Sequence, residues 1–325
     1  MLEKRNRVLV IGDIMLDQYN CGKVTRISPE SPVPVIEMQE EYYRLGGAAN
    51  VANNVASLGG TAALIGIIGV DLNSDKIINV LTQKNISVQG IVRSENFKTI
   101  TKVRILGNNQ QIARMDYYDN QELTQKDIAE LIDRFEKMVS DYELIILSDY
   151  GKSVCSVKVC QKVIEICKNA NKKVLIDPKG RDWSKYSGAS LLSPNLKEWS
   201  DYIQFPVKNR NEDIEQNCYS LYTKFGVESL IITRSEQGIT LINKENEFYH
   251  IPSKAKEVYD VSGAGDTVIA AIGVFWNEDK SILEAIHLAN EAAGLAVGKK
   301  GTAEVSLREL EDVISTNLIV ITNKI

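Results

Sequence analysis

The chain has 325 residues, 44% of them hydrophobic and 25% charged, with a formal net charge of −5; that suits one large α/β domain or two smaller ones in an ordinary soluble protein. An acidic balance without a basic block excludes nucleic-acid binding as the main task, and two histidines exclude a His-rich metal site. The apolar run that follows Met1-Leu-Glu-Lys-Arg-Asn-Arg7 is too short for a signal peptide or a membrane span.

Strand-like apolar runs alternate with helical patterns along most of the length. Val8–Ile11 is the first strand, Ala48–Leu58 a small-residue helix closed by Gly59-Gly60, and Ala62–Ile68 the second strand. Ser74–Lys84 and Asp127–Ser140 are amphipathic helices, the latter leading into the strand Leu144–Leu147. Val154–Ala170 reads as a helix, Lys173–Ile176 and Ser229–Thr233 as strands, and Val268–Trp276 and Ile282–Val297 as helices. Such alternation predicts a mostly parallel sheet covered by helices on both faces. Two excursions, about 17–44 and 90–119, break the pattern: the first carries Pro29, Pro32 and Pro34, and the second has alternating runs such as Thr99–Ile105. They predict a small antiparallel sheet beside the core, serving as a lid or a dimer contact. Five cysteines without a CxxC pair point to a reducing compartment, the cytoplasm.

Chemistry concentrates in four places. Asp260-Val-Ser-Gly-Ala-Gly-Asp-Thr267 lies directly before an apolar helix. Glycines let backbone N–H groups face an anion, and the helix start adds its own amides and positive dipole end. Asp266 in that position can take a proton from a hydroxyl nucleophile while Gly263, Ala264 and Gly265 hold the charge on a transferred phosphoryl group. The alternative is a βα turn with a helix-capping Asp. Leu45-Gly-Gly-Ala-Ala-Asn50 offers close backbone approach at Gly46 and Gly47 and a donor and acceptor at Asn50; the competing explanation is a tightly packed helix start. Asp13 and Asp17 follow the first strand, where open α/β sheets bind ligands, or are simply solvated loop residues. Ser193-Pro-Asn-Leu-Lys-Glu198 can organise magnesium and its waters through Asn195 and Glu198, or form a capping box.

In this order the motifs resemble the ribokinase-like, PfkB-type sugar kinases over essentially the whole chain, which implies a three-layer α/β/α sandwich with a β lid. The runs GDIMLDQY (12–19), RISPESPVPV (26–35), GGAANVANNVASLGG (46–60), NNQQIARMD (108–116), LSDYGK (147–152), DPKG (177–180) and SPNLKEW (193–199) resemble the branch of that family that phosphorylates D-glycero-β-D-manno-heptose 7-phosphate. The resemblance implies Asp266 as catalytic base, Gly263, Ala264 and Gly265 as anion hole, and Asn195 with Glu198 at ATP and magnesium. Thr233 and Arg234 are implied at the nucleotide phosphates and Asn290 near adenine. For the sugar it implies Asp13, Asp17, Gly46, Gly47 and Asn50. Arg104, Gln110, Gln111, Lys152 and Lys179 are candidates for the sugar's distal phosphate, with an ordinary surface or lid role as the alternative.

Val261 stands where the generic signature has Thr, with the Asp and glycines intact. Relatives often carry a fused nucleotidyltransferase domain. This sequence has no HxGH motif and ends at Ile325, which predicts that adenylylation belongs to a separate protein. The expected partners are a small sugar phosphate and a second copy of the chain through the lid, with no nucleic acid and no membrane. Other sugars, such as fructose phosphate or ribose, remain alternatives on the same scaffold, and a non-catalytic sugar sensor is the alternative from another class. Neither GxGxxG after the first strand nor GxxxxGK[ST] occurs, which argues against a nicotinamide oxidoreductase and a P-loop ATPase.

Overall fold

The computed structural model describes residues 2–118, 122–218, 224–299 and 303–322. Its strands are β1 (Arg7–Gly12), β2 (Ile14–Ile27), β3 (Pro34–Gly47), β4 (Thr61–Gly69), β5 (Ser87–Ser94), β6 (Ile100–Gly107), β7 (Gln110–Tyr117), β8 (Leu144–Ser148), β9 (Lys173–Asp177), β10 (Leu191–Leu192), β11 (Ser229–Thr233), β12 (Ile239–Asn243) and β13 (Phe248–Ile251). The helices are α1 (Ala48–Ser57), α2 (Leu72–Gln83), α3 (Gln125–Met138), α4 (Val157–Asn169), α5 (Leu196–Ile203), α6 (Asn211–Asn217), α7 (Ala264–Phe275), α8 (Ile282–Val297) and α9 (Leu307–Thr322).

A large sheet runs in the order β13-β12-β11-β10-β9-β8-β1-β4-β5. It is parallel from β11 to β5 and ends in the antiparallel strands β12 and β13. Side chains alternate across a strand, so β1 feeds two cores. Val8 and Val10 pack with Ala52, Ile269 and Ile272 on one face; Leu9 and Ile11 pack with Leu131, Val159 and Val163 on the other. The buried, β-branched strands therefore carry helices on both sides, as the alternation of apolar runs predicts.

Two expectations about the small sheet need correction. Its order is β3-β2-β6-β7, and β2 pairs with β6 in parallel; only β2–β3 and β6–β7 are antiparallel. The second excursion starts at Ile100, because residues 87–94 form β5, the parallel edge strand beside β4. Half-buried alternation identifies a strand but not the sheet it joins. At α4 the helix begins at Val157, three residues later than the apolar pattern suggests, because Ser156 caps it by accepting the Val159 amide.

Candidate active site

The carboxyl ends of β1, β8, β9, β10 and β11 are neighbours in the large sheet, and the loops that leave them carry most of the predicted site. α7 closes over this edge. Its N-cap Gly263 has φ 80°, a left-handed conformation in which an L side chain is strained. The turn it makes brings Asp266 into the first helical turn, where it is buried. The first i→i−4 bond here joins the Thr267 amide to Gly263 O at 3.0 Å, so the Gly265 and Asp266 amides precede the helical ladder. Ala264 N instead donates to Val261 O at 3.3 Å. An added Cβ at Gly265 would meet nothing within 4 Å. The glycine thus leaves an open approach to those amides.

Both oxygens of Asp266 are held. Asn50 Nδ2 donates to Oδ2 at 2.6 Å, and the Tyr150 hydroxyl donates to Oδ1 at 2.5 Å. Burial raises the Asp266 pKa; the Tyr150 and Asn50 hydrogen bonds oppose that shift, and Asp17 and Lys102 act on it in opposite senses. Tyr150 is raised well above its ordinary value by burial and by the Asp266 charge, so the phenol stays a donor. Asn50 is placed by α1, whose second residue Ala49 and third residue Asn50 are both buried. Asn54 Nδ2 donates to Asn50 O at 2.9 Å, and Thr267 Oγ1 donates to Asn54 Oδ1 at 3.2 Å, fastening α1 to α7.

Asp13 has a different place from the one expected. It is fully buried, and its carboxylate accepts the amides of Tyr150, Lys152 and Val154, each at 3.0 Å. Burial pushes its pKa up to about 6 against those three bonds. It organises the loop after β8 and presents no oxygen to a sugar. Gly46 and Gly47 are likewise packed rather than open. An added Cβ would lie 2.8 Å from Asp17 Oδ2 at Gly46 and 2.3 Å from Asp13 O at Gly47, where φ is 58°. For this pair the tightly packed helix start is the observed role.

Asp17 is buried on β2, paired with Arg104, in register with Lys102 on β6 and Arg44 on β3. Tyr19, two residues on and therefore on the same face, stacks on Tyr42 with centroids 4.8 Å apart; Arg44 and Arg104 lie over its ring at 5.5 and 5.2 Å. Two charges of this face act on the base: Asp17 raises the Asp266 pKa and Lys102 lowers it.

Of the other distal-phosphate candidates, the two lysines are engaged elsewhere. Lys179 donates to Glu198 Oε1 at 2.8 Å. Lys152 sits 3.1 Å from the centroid of the Tyr118 ring. Gln110 and Gln111 open β7, which is exposed at every residue. Arg104 shares the face with Asp17, and by register so does Gln111, opposite Leu106 two residues beyond Arg104.

On the other side of Tyr150, Asn195 and Glu198 form the capping box that is the second explanation of their motif: Asn195 Oδ1 accepts the Glu198 amide at 2.9 Å and Glu198 Oε2 accepts the Asn195 amide at 3.1 Å. A bridge between Asn195 and Thr233 sets this motif beside the end of β11. Asp177, at the end of β9, is raised well above the usual carboxylate range by burial and by the charges of Glu198 and Asp266. Arg234 is turned inward, with its Nη2 buried and without a hydrogen-bond partner among the described residues. It is 2% exposed, donating to Asn209 Oδ1 at 2.9 Å, Asn211 Oδ1 at 2.7 Å and Thr240 Oγ1 at 2.9 Å. Asn290 is also turned inward, with Nδ2 donating to Pro252 O at 2.7 Å. Sequence reasoning missed Tyr150, Lys102, Tyr19 and Arg44. Tyr150 lies inside LSDYGK, and the three others lie on alternating strands whose pairing no local pattern gives.

The five cysteines are free, and among the described residues no helix is long and apolar enough to cross a membrane. Compared with known proteins, the chain is 44% identical over 311 residues to the bifunctional protein HldE of Haemophilus influenzae (strain PittEE), covering 96% of this chain and 64% of that protein. It is 43% identical over 307 residues to bifunctional protein HldE of Vibrio parahaemolyticus, covering 94% and 63%. The chain thus spans a little under two thirds of the length of these curated relatives. Among solved structures, phosphofructokinase-2 from Escherichia coli in complex with potassium superposes with a TM-score of 0.78 at 17% identity, covering 96% of this chain and 99% of that one. Arabidopsis thaliana ribokinase complexed with ribose and ATP gives 0.74 at 21%, covering 94% and 98%. These two show that the fold is ribokinase-like. A family model described as pfkB family carbohydrate kinase matches residues 5–309, and the chain belongs to that family.

Proposed function

We propose that this chain is an ATP-dependent sugar-phosphate kinase acting on the anomeric hydroxyl of D-glycero-β-D-manno-heptose 7-phosphate to give the 1,7-bisphosphate, a step toward ADP-heptose for surface polysaccharide. The observation that carries the reaction class is Asp266, buried in the first turn of α7 behind a left-handed glycine and gripped by Asn50 and Tyr150. In this reading Asp266 takes the hydroxyl proton as the sugar oxygen attacks the γ-phosphate in line, and the Gly265 and Asp266 amides stabilise the charge that develops. Asp17 orients sugar hydroxyls. Arg104 and Lys102 on the same face supply charge for a phosphate remote from the reacting carbon.

ATP belongs on the Asn195, Thr233 and α7 side. Magnesium fits the donor chemistry there: Asp177 and Glu198 are hard oxygen donors, and the Glu198 charge helps to raise the Asp177 pKa. Among the described residues no group of three or more His, Cys, Asp or Glu side chains could cage a metal, so the ion would be held mostly by phosphates and water, with Glu198 reaching it through water. When bound, it supplies charge neutralisation on the transferred phosphate. The proposed compartment is the cytoplasm, in keeping with the free thiols. A homodimer through the small sheet is part of the same reading, supported by the fully exposed edge strand β7.

Phosphorus NMR after incubation with ATP and a panel of heptose, heptose 7-phosphate, fructose 6-phosphate and ribose tests the assignment. A new anomeric phosphate signal from heptose 7-phosphate is expected. Equal use of unphosphorylated heptose would refute the distal-phosphate subsite, and sole use of another sugar would replace the substrate.

A further inference from the structure

Asp266 as the base is the reading on which this inference rests. We propose that Tyr150 is a positioning residue for phosphoryl transfer, fixing the Asp266 carboxylate in one orientation and giving its charged form a permanent hydrogen-bond donor. The hydroxyl lies 2.5 Å from Asp266 Oδ1, opposite the 2.6 Å bond from Asn50 to Oδ2. With both oxygens pinned, the carboxylate plane cannot rotate. Each oxygen retains a second lone pair for the acceptor hydroxyl.

The way Tyr150 is held argues that its aim is built in. Asp13, at the end of the central strand β1, accepts the Tyr150 amide on its side chain at 3.0 Å and the Ala48 amide on its backbone carbonyl at 2.9 Å. Ala48 begins the helix that carries Asn50. The two donors that grip Asp266 therefore hang from one buried residue: Asn50 on α1, and Tyr150 on the loop after β8 that three bonds to Asp13 tie down. This also gives Asp13 a reason to be a carboxylate, since three amides converge on it.

The charged surroundings set the direction of the effect. From the small sheet Asp17 and Lys102 face Asp266 with opposite influence, and from the ends of β9 and α5 Asp177 and Glu198 act on the Tyr150–Asp266 pair. The anionic neighbours and burial disfavour the ionised base. Tyr150 and Asn50 are the two hydrogen-bond donors that favour it.

The experiment is the pH dependence of kcat for wild type, Tyr150→Phe and Asp266→Asn, with thermal melts alongside. Tyr150→Phe is expected to lower kcat at neutral pH about tenfold and to move the acidic limb upward by about one pH unit, equivalent to about 1.4 kcal/mol, with the KM for ATP unchanged. An unmoved limb and a wild-type kcat in Tyr150→Phe, with Asp266→Asn inactive, overturn the positioning role alone. An active Asp266→Asn overturns the base assignment itself. If Tyr150→Phe melts early, replacing Tyr150 by 3-fluorotyrosine keeps the shape and strengthens the donor. The limb must then move to lower pH, and an unmoved limb again overturns the proposal.

Discussion

Replacing Asp266 by Asn separates chemistry from folding in one substitution. The side chain is 8% exposed, and the amide has nearly the carboxylate's size. Two donors converge on it, from Asn50 at 2.6 Å and Tyr150 at 2.5 Å. The amide oxygen can still accept from Tyr150, and Asn50 can turn its own amide end for end to accept from the new N–H₂. The fold therefore keeps its contacts. Removing a general base lowers the rate by roughly 10²–10⁴, or about 3–5 kcal/mol. Stability should move the other way. Burial raises the Asp266 pKa, so the folded state binds the proton more tightly than the unfolded state, and stability falls as pH rises from the unfolded pKa through the folded one. At neutral pH the ionised carboxylate weighs against the fold, and the neutral amide removes that cost. The expected result of Asp266→Asn is a kcat at least a hundredfold lower in a coupled ATPase assay, ATP binding by calorimetry nearly intact, and a Tm at pH 7 equal to or above wild type. Turnover within threefold of wild type would refute the base. A Tm several degrees lower would refute the argument from burial.

Two glycines should respond in opposite ways. At Gly47 an added Cβ would lie 2.3 Å from Asp13 O with φ at 58°; strain of roughly 1–2 kcal/mol adds to that clash, so Gly47→Ala should lose at least about 2 kcal/mol in urea unfolding, and a wild-type midpoint would show the turn to be slack. At Gly265 nothing lies within 4 Å of an added Cβ and the backbone is helical. Gly265→Val should therefore melt like wild type while its KM for ATP rises and its turnover drops, because the branched side chain fills the approach to the amides; unchanged ATP kinetics would remove the phosphate from this position.

Much of the scaffold is legible because burial on both faces leaves continuous apolar runs, as at Val8–Ile11, Leu144–Leu147 and Ser229–Thr233. Asp266 stands out in the sequence for a different reason: a glycine turn followed by an apolar run marks a helix start, and the carboxylate falls in its first turn. The small sheet shows what pattern reading leaves out. Alternation at Thr99–Ile105 marks β6 as a strand, yet its parallel pairing with β2 joins residues far apart in sequence, and nothing local encodes it. Asp13 escapes pattern reading because its partners are three backbone amides, which carry no residue signature. Arg234 escapes it because position after a strand does not tell whether a long side chain turns outward or, as here, back toward Asn209, Asn211 and Thr240. Lys179 leaves the loop after β9 to pair with Glu198 on α5, a partner that no local spacing announces.

The central place of β1 has a consequence for biosynthesis. Its residues pair on one edge with Thr61–Ile65 and on the other with Leu144–Ser148. A ribosome adding about 5–20 residues per second reaches the second partner about seven to twenty-seven seconds after β1 itself is made. Through that interval the nascent Val8–Ile11 run has an open edge, low charge and high β propensity, the features that recruit other chains. Slow closure of non-local pairings prolongs the exposure. Yield in a cell should therefore depend on chaperone capacity and translation speed more than on the stability of the finished molecule.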